Sequence, residues 1–270
     1  MRSRKLITTL SLTVVMLAMM AVPAMAYVID GDLDDWGVHP PGNWYANAPA
    51  LSEVENWPST GGDPGVEECD IEAMYVADEG SYIYFAIITS MPPRGYDYGS
   101  SHLISGDLAL NLDQDPGTGE YGYEYGIKLT TDIRTVPGVI GDVFYEPDWE
   151  KLNPEVAQPR LLFSNMVPGT GTKTEHAEIN YTLYHDWDRD NGADNYVIEM
   201  KVPKTALGIS SNGTADLLAT VSCTNDVLLI KDFYYSEIPE FTTIAIPVGM
   251  IFGLFYFYRR KRQSREEKAK

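Results

Sequence analysis

Basic residues are scarce in this chain, and cysteine is scarcer still. Its 270 residues hold 39 Asp and Glu against 20 Lys and Arg, with four His and two Cys. Two cysteines exclude a disulfide-dense miniature scaffold and a four-cysteine zinc site. The four histidines, His39, His102, His176 and His185, show no metal-binding spacing. No G-x-S-x-G and no paired-cysteine motif is present. Carboxylates are so common that an acid–base pair could be drawn almost anywhere, so they single out no enzyme site. The sequence therefore reads as a protein that binds or supports rather than catalyses. Internal repeats and low-complexity linkers are also missing, and little of the chain has helical periodicity.

What is present begins at the two ends. Arg2, Arg4 and Lys5 precede an apolar run from Leu6 to Val22, followed by Ala24-Met25-Ala26. That order is a secretory signal over 1–26 with cleavage after Ala26; an uncleaved anchor is the alternative. Near the other end no charge occurs from Phe241 to Tyr258, and Arg259-Arg260-Lys261-Arg262 follows at once. A transmembrane helix over 242–258 is predicted, with the basic cluster on the cytoplasmic side. Counting from Phe241, the uncharged helix would span roughly 27 Å, close to the hydrocarbon thickness of a bilayer. A buried C-terminal core helix is the other reading, but it would not lead straight into a basic cluster.

Setting both ends aside sharpens the charge imbalance. Three basic residues lie in the leader and seven in the tail, with Glu240, Glu266 and Glu267. Residues 27–238 keep 10 basic and 36 acidic side chains, a net charge of −26. Such a surface repels nucleic acid and anionic lipid. It suits divalent cations, high salt or a cationic partner, and it also keeps a displayed protein soluble.

The tail carries a resemblance. Pro239-Glu240-Phe241, the apolar span and the Arg/Lys cluster resemble the archaeal PEF-CTERM sorting signal over 239–270. The resemblance implies recognition by an archaeosortase, cleavage near Pro239-Glu240-Phe241 and transfer to a lipid anchor at the cell surface. The residues alone support a single-pass anchor.

Between the ends, residues 27–238 read as one all-β domain. Short β-rich runs recur at 71–76, 82–88, 107–112, 124–130, 142–145, 161–166, 178–184, 196–202, 215–224 and 227–235, after an opening strand at 27–29. One helical turn is expected at Pro203–Leu207. The stretch 39–65, dense in Pro, Gly, Asn and Trp, reads as loop, as does 91–105. About eleven strands with almost no helix predict an antiparallel β-sandwich of jelly-roll type, with a closed barrel as the alternative.

Ile29-Asp30-Gly31-Asp32-Leu33-Asp34-Asp35-Trp36 is similar to the opening of family 9 carbohydrate-binding modules and DOMON-like sandwiches. Asn111-Leu112-Asp113-Gln114-Asp115 with Thr118-Gly119, and Glu199 to Leu207, resemble further parts of that group. The resemblance implies a sandwich, often calcium-stabilised, with a sugar site between aromatic rings in some members and haem with Met or His axial ligands in others. For haem, His102 with Met91 or Met74 is the set to test.

Several residues are candidates for binding. In the loop Asp113 to Glu120, Asp113 and Asp115 stand two apart on a bent backbone, with Glu124 as a further oxygen donor for calcium; a solvated hairpin turn is the other reading. Asp186, Asp188 and Asp190 match the opening of a calcium loop, with an ordinary Asn-Gly turn as the alternative. Trp44, Trp57 and Trp149 are expected in loops, where an indole can stack on a sugar. Cys69 and Cys223 could form a disulfide outside the cell or remain buried thiols. Asn180 and Asn212 head N-x-[ST] acceptors. Three functions are expected: a surface-anchored binding module for a glycan or surface partner, a purely structural envelope protein, or a haem-bearing electron carrier.

Overall fold

The computed structural model describes residues 27–40, 42–54, 69–130, 138–151, 163–184, 194–223, 226–238 and 256. Strands are numbered along the chain. One antiparallel sheet runs β1 (Leu51–Val54), β2 (Ile71–Glu79), β3 (Tyr82–Thr89), β13 (Tyr196–Pro203) and β12 (Glu178–Leu183). The facing antiparallel sheet runs β11 (Thr172–His176), β8 (Asp142–Tyr145), β7 (Tyr125–Ile127), β6 (Leu108–Asn111), β14 (Gly213–Thr220) and β15 (Val227–Tyr235). Two small hairpins stand apart, β4 (Tyr96–Tyr98) with β5 (Ser101–Leu103), and β9 (Trp149–Lys151) with β10 (Phe163–Met166). The chain is an all-β antiparallel sandwich, as its strand pattern predicts.

Alternation of side chains builds the core between the sheets. Ile83, Phe85 and Ile87 of β3, and Ile198, Met200 and Val202 of β13, point inward against Leu108 and Leu110 of β6 and Leu217 and Ala219 of β14. Packing is close: a cavity beside Ile71, Thr89, Ser105 and Leu129 measures ≈ 10 Å³, room for about one water.

The outer faces are not bare, which is why β2 and β3 read as nearly continuous apolar runs. Ala73, Tyr75, Tyr84, Ala86 and Ile88 point away from the central core and are covered by Leu33, Trp36, Val38 and Trp44 of the N-terminal segment. Alanine at 73 and 86 leaves room for the Trp36 indole, which is fully buried. On the other sheet Ala109, Phe144 and Leu218 are covered by Trp149, Phe163 and Met166 of the β9–β10 hairpin. Gly126 makes that close approach possible, since a Cβ there would lie 2.3 Å from Met166 Sδ and 3.0 Å from Trp149 Cη2.

Local details differ from the sequence reading where tertiary pairing decides. Residues 27–29 form no strand. Leu51–Val54 pairs with β2 although its neighbourhood reads as loop. The β4–β5 hairpin lies within the expected 91–105 loop. Residues 203–209 form successive i→i+3 turns, with Ala206 N–H on Pro203 O at 2.9 Å and Leu207 N–H on Lys204 O at 3.2 Å, in place of a helical turn. Among the described residues no helix is long and apolar enough to cross a membrane. The leader 1–26 and all of 242–258 except Tyr256 lie outside the described residues.

Candidate functional site

The β2–β3 turn organises one end of the sandwich. Glu79 pairs with Tyr82 across Gly80-Ser81, and Gly80 takes φ +58°, the left-handed conformation that a two-residue hairpin loop requires. Asp78, just before this turn, sits 2.5 Å from the Lys204 ammonium through Oδ1. Its Oδ2 accepts hydrogen bonds from Ser236 N–H at 2.5 Å and Ser236 Oγ at 2.7 Å. Lys204 Nζ donates in turn to Ser236 O at 2.8 Å and Oγ at 3.1 Å. Lys204 is fully buried. Pro203 ends β13, and the Lys204 N–H donates to Ser81 O at 3.0 Å, which aims the ammonium across this end of the core. The next residue is also held, since Glu237 N–H donates to Asn212 Oδ1 at 2.7 Å. The chain is thus pinned up to the last residues before the sorting tail.

The acid-rich loop occupies the same end. Gln114 Nε2 donates to Asp216 Oδ1 at 2.8 Å and Asp232 Oδ1 at 2.9 Å, and Thr214 Oγ1 donates to Gln114 Oε1 at 2.7 Å. Tyr235 Oη donates to Leu112 O at 2.7 Å. The loop therefore packs on the start of β14 and the end of β15. Within it Asp113 Oδ1 accepts from Asp115 N–H at 2.9 Å and Thr118 Oγ1 at 2.9 Å, and Asp115 Oδ1 accepts from Gly117 N–H at 2.8 Å. Asp113 and Asp115 thus spend lone pairs on the loop's own backbone.

Glu124 behaves differently. Its Oε1 accepts from Leu112 N–H at 2.6 Å, while its Oε2 and Asn111 Oδ1 are buried without partners. Burial pushes the Glu124 carboxyl up to about 7, and the nearby Asp113 charge adds to this. A buried acceptor without a donor costs about 1–3 kcal/mol, so this position favours a proton or a cation. Among the described residues, however, no group of three or more His, Cys, Asp or Glu is gathered to hold a metal.

A second buried carboxylate fixes the N-terminal segment. Glu199 Oε2 accepts from Asp30 N–H at 3.1 Å and Gly31 N–H at 2.6 Å, and its Oε1 accepts from Trp36 Nε1 at 3.0 Å. Gly31 takes φ +87°, and a Cβ there would lie 2.4 Å from Thr182 Cγ2. The Asp-rich opening is therefore a structural anchor. Burial pushes the Glu199 carboxyl up to about 7, against the three N–H donors that pull it down.

Trp44 and Trp149 are buried, at 8% and 2% exposure, so neither is an open stacking platform. Their neighbours explain this correction: Trp44 packs over β2 and β3, and Trp149 packs against Phe163 in a tilted pair with ring centroids 4.7 Å apart, its Nε1 donating to Tyr123 O. Trp57, Asp186, Asp188 and Asp190 lie outside the described residues, as do Pro239, Glu240 and Phe241. Cys69 is buried, and half-buried Cys223 packs against the same core cluster. Asn180 is half-buried in β12 beneath Gly31, whereas Asn212 is exposed. Met74 and Met91 are core residues, and His102 Nδ1 lies 2.6 Å from Asp97 Oδ1 on the β4–β5 hairpin.

Lys204, Asp78 and Ser236 escaped the sequence reading because nothing in their local pattern marks them. They lie far apart along the chain and meet only through sheet pairing. Asn111 carried a weak signal, a polar residue ending an apolar strand next to the acidic loop.

An all-β sandwich with a sorting-type tail is the class that fold and C-terminal sequence define. Residues 238–262 match the PEF-CTERM archaeal protein sorting domain. This match makes the chain similar to exported, surface-anchored proteins and implies processing by an archaeosortase and membrane anchoring. No curated protein and no solved structure matches the chain.

Proposed function

We propose that this protein is a surface-displayed binding module, held at an archaeal envelope by its processed C-terminus, that engages an envelope glycan or a neighbouring surface protein. One observation carries the reading. The sandwich is pinned through Glu237 and the sorting match begins at Ile238, so the folded body stands directly on the anchor. A domain with no spacer meets partners in the envelope layer itself. Its 36 acidic side chains favour a cationic or calcium-bridged contact.

Calcium fits as a loop stabiliser rather than a catalyst. Glu124 Oε2 and Asn111 Oδ1 supply two unpartnered oxygens, and the neighbouring loop supplies carboxylates and carbonyls of the kind calcium takes. With the two indoles buried, the aromatic contacts open to a glycan include Tyr45, Tyr98 and Tyr145, at 62%, 53% and 39% exposure. In the oxidising exterior Cys69 and Cys223 would join as a disulfide. The segments that carry them meet where Ile71 N–H donates to Asp226 Oδ2 at 2.6 Å.

Binding of the mature chain to isolated envelope material, with and without calcium, tests the reading. Calcium-dependent binding weakened by Tyr45→Ala, Tyr98→Ala or Tyr145→Ala supports it. Absence of binding to any envelope fraction leaves a purely structural role and refutes the module.

A further inference from the structure

Two carboxylates beside the first described residue have acceptors left over. Glu79 Oε2 and Asp35 Oδ1 are buried and have no hydrogen-bond partner. Their other contacts come from the start of the domain: the Tyr27 N–H donates to the Glu79 carboxylate, and Val28 N–H donates to Asp35 Oδ2 at 2.6 Å. The Tyr27 ring is held in place, 4.1 Å from the Trp36 ring and 5.3 Å from the Tyr84 ring. The titratable groups facing this corner are Asp30, Glu199, Tyr82, Tyr84, Glu178 and the Tyr27 phenol itself, all neutral or negative, while Lys201 of β13 lies 4.6 Å from the Tyr82 ring and is paired with Glu178 at 3.4 Å. Among the described residues no Lys, Arg or His forms an ion pair with Asp35 or Glu79. Both carboxyls are pushed above the usual carboxylate range, chiefly by burial.

We infer that removal of the leader after Ala26 completes this corner: the new α-ammonium of Tyr27 forms an ion pair with Glu79 and Asp35. This rests on the export reading above. Before cleavage the Tyr27 nitrogen is a neutral amide with one N–H, already given to Glu79. Hydrolysis of the Ala26–Tyr27 peptide bond leaves the Ala26 carboxylate on the released leader and a protonated amine on Tyr27. That amine has three N–H donors and a positive charge, which matches the two orphaned oxygens in number and sign. Asp78 and Glu79 are neighbours at the end of β2, so one strand end would hold both exits of the mature domain. Asp78 grips Ser236 near the C-terminal exit, and Glu79 grips the N-terminus. A chain held by the membrane at both ends during export needs both exits on one side.

A free α-amine titrates near 7.7–8.0, and pairing raises that value in the folded state. The added stability is complete below the unfolded value and is lost as pH rises through the higher folded one.

The test compares two mature chains, 27–270 and 24–270, the second moving the amine three residues away. At pH 7 the Tyr27-first chain should melt roughly 3–6 °C higher. The gap should close above about pH 9 and should vanish when both chains carry Asp35→Asn and Glu79→Gln. Equal melting, or a gap that persists in the double variant, overturns the inference and leaves the export reading standing. N-terminal sequencing of protein from cells that shows a start other than Tyr27 overturns it together with the proposed cleavage point.

Discussion

Replacing Lys204 with Met keeps the apolar stem and removes the charge that closes the C-terminal exit. The wild-type ammonium is fully buried and serves Asp78 Oδ1 at 2.5 Å, Ser236 O at 2.8 Å and Ser236 Oγ at 3.1 Å. Breaking one side of a buried ion pair costs about 3–5 kcal/mol. Asp78 keeps its two Ser236 donors and is itself 13% exposed, so the lower end applies, about 3 kcal/mol. For a domain of this size that corresponds to a fall in Tm of roughly 6–12 °C. Thermal melting of the mature chain in detergent, followed by circular dichroism, reads it. Lys201→Met is the control. Its partner Glu178 lies 3.4 Å away, with both side chains partly in solvent, and such pairs contribute under about 1 kcal/mol. A Lys204→Met melt within about 2 °C of wild type, or equal to that of Lys201→Met, refutes the idea that this clamp holds the exit.

Two further outcomes are expected. Glu124, raised from 4.5 to about 7 by burial, costs stability as pH rises through that window, because the unfolded chain ionises first. Glu124→Gln should therefore flatten the decline in Tm between about pH 5 and 8, stabilise the protein at pH 8 without calcium, and abolish any calcium-induced rise; an unchanged pH profile would exclude this carboxyl. Glycopeptide mass spectrometry should find Asn212 occupied and Asn180 bare, since Asn212 is exposed and Asn180 packs under Gly31; the reverse pattern contradicts this assignment.

The sandwich was legible because its long strands, one interior and one at a sheet edge, carry it locally. Tyr82 to Thr89 and Val227 to Tyr235 are β-rich runs bounded by turn residues, and both form strands close to those limits. Leu51–Val54 was not legible, since a four-residue edge strand in a loop-like neighbourhood exists only through pairing with β2. The aromatic residues misled for a related reason. Trp44 lies in polar surroundings along the chain, and its burial depends on Ala73, Tyr75 and Ala86 from strands that follow it. The acidic loop was found, but its key oxygens were not. Asp113 and Asp115 satisfy their own turn, and the orphaned acceptors belong to Asn111 and Glu124 on the flanking strands. The sorting tail needed no fold at all, because an apolar span followed by basic charge depends on order along the chain alone.

The intact mass of the protein recovered from cell membranes tests the account most directly. A body that begins at Tyr27, ends near Pro239-Glu240-Phe241 and carries a lipid at its new C-terminus is the predicted result. A soluble cytosolic chain of 30.1 kDa running from Met1 to Lys270 would contradict it.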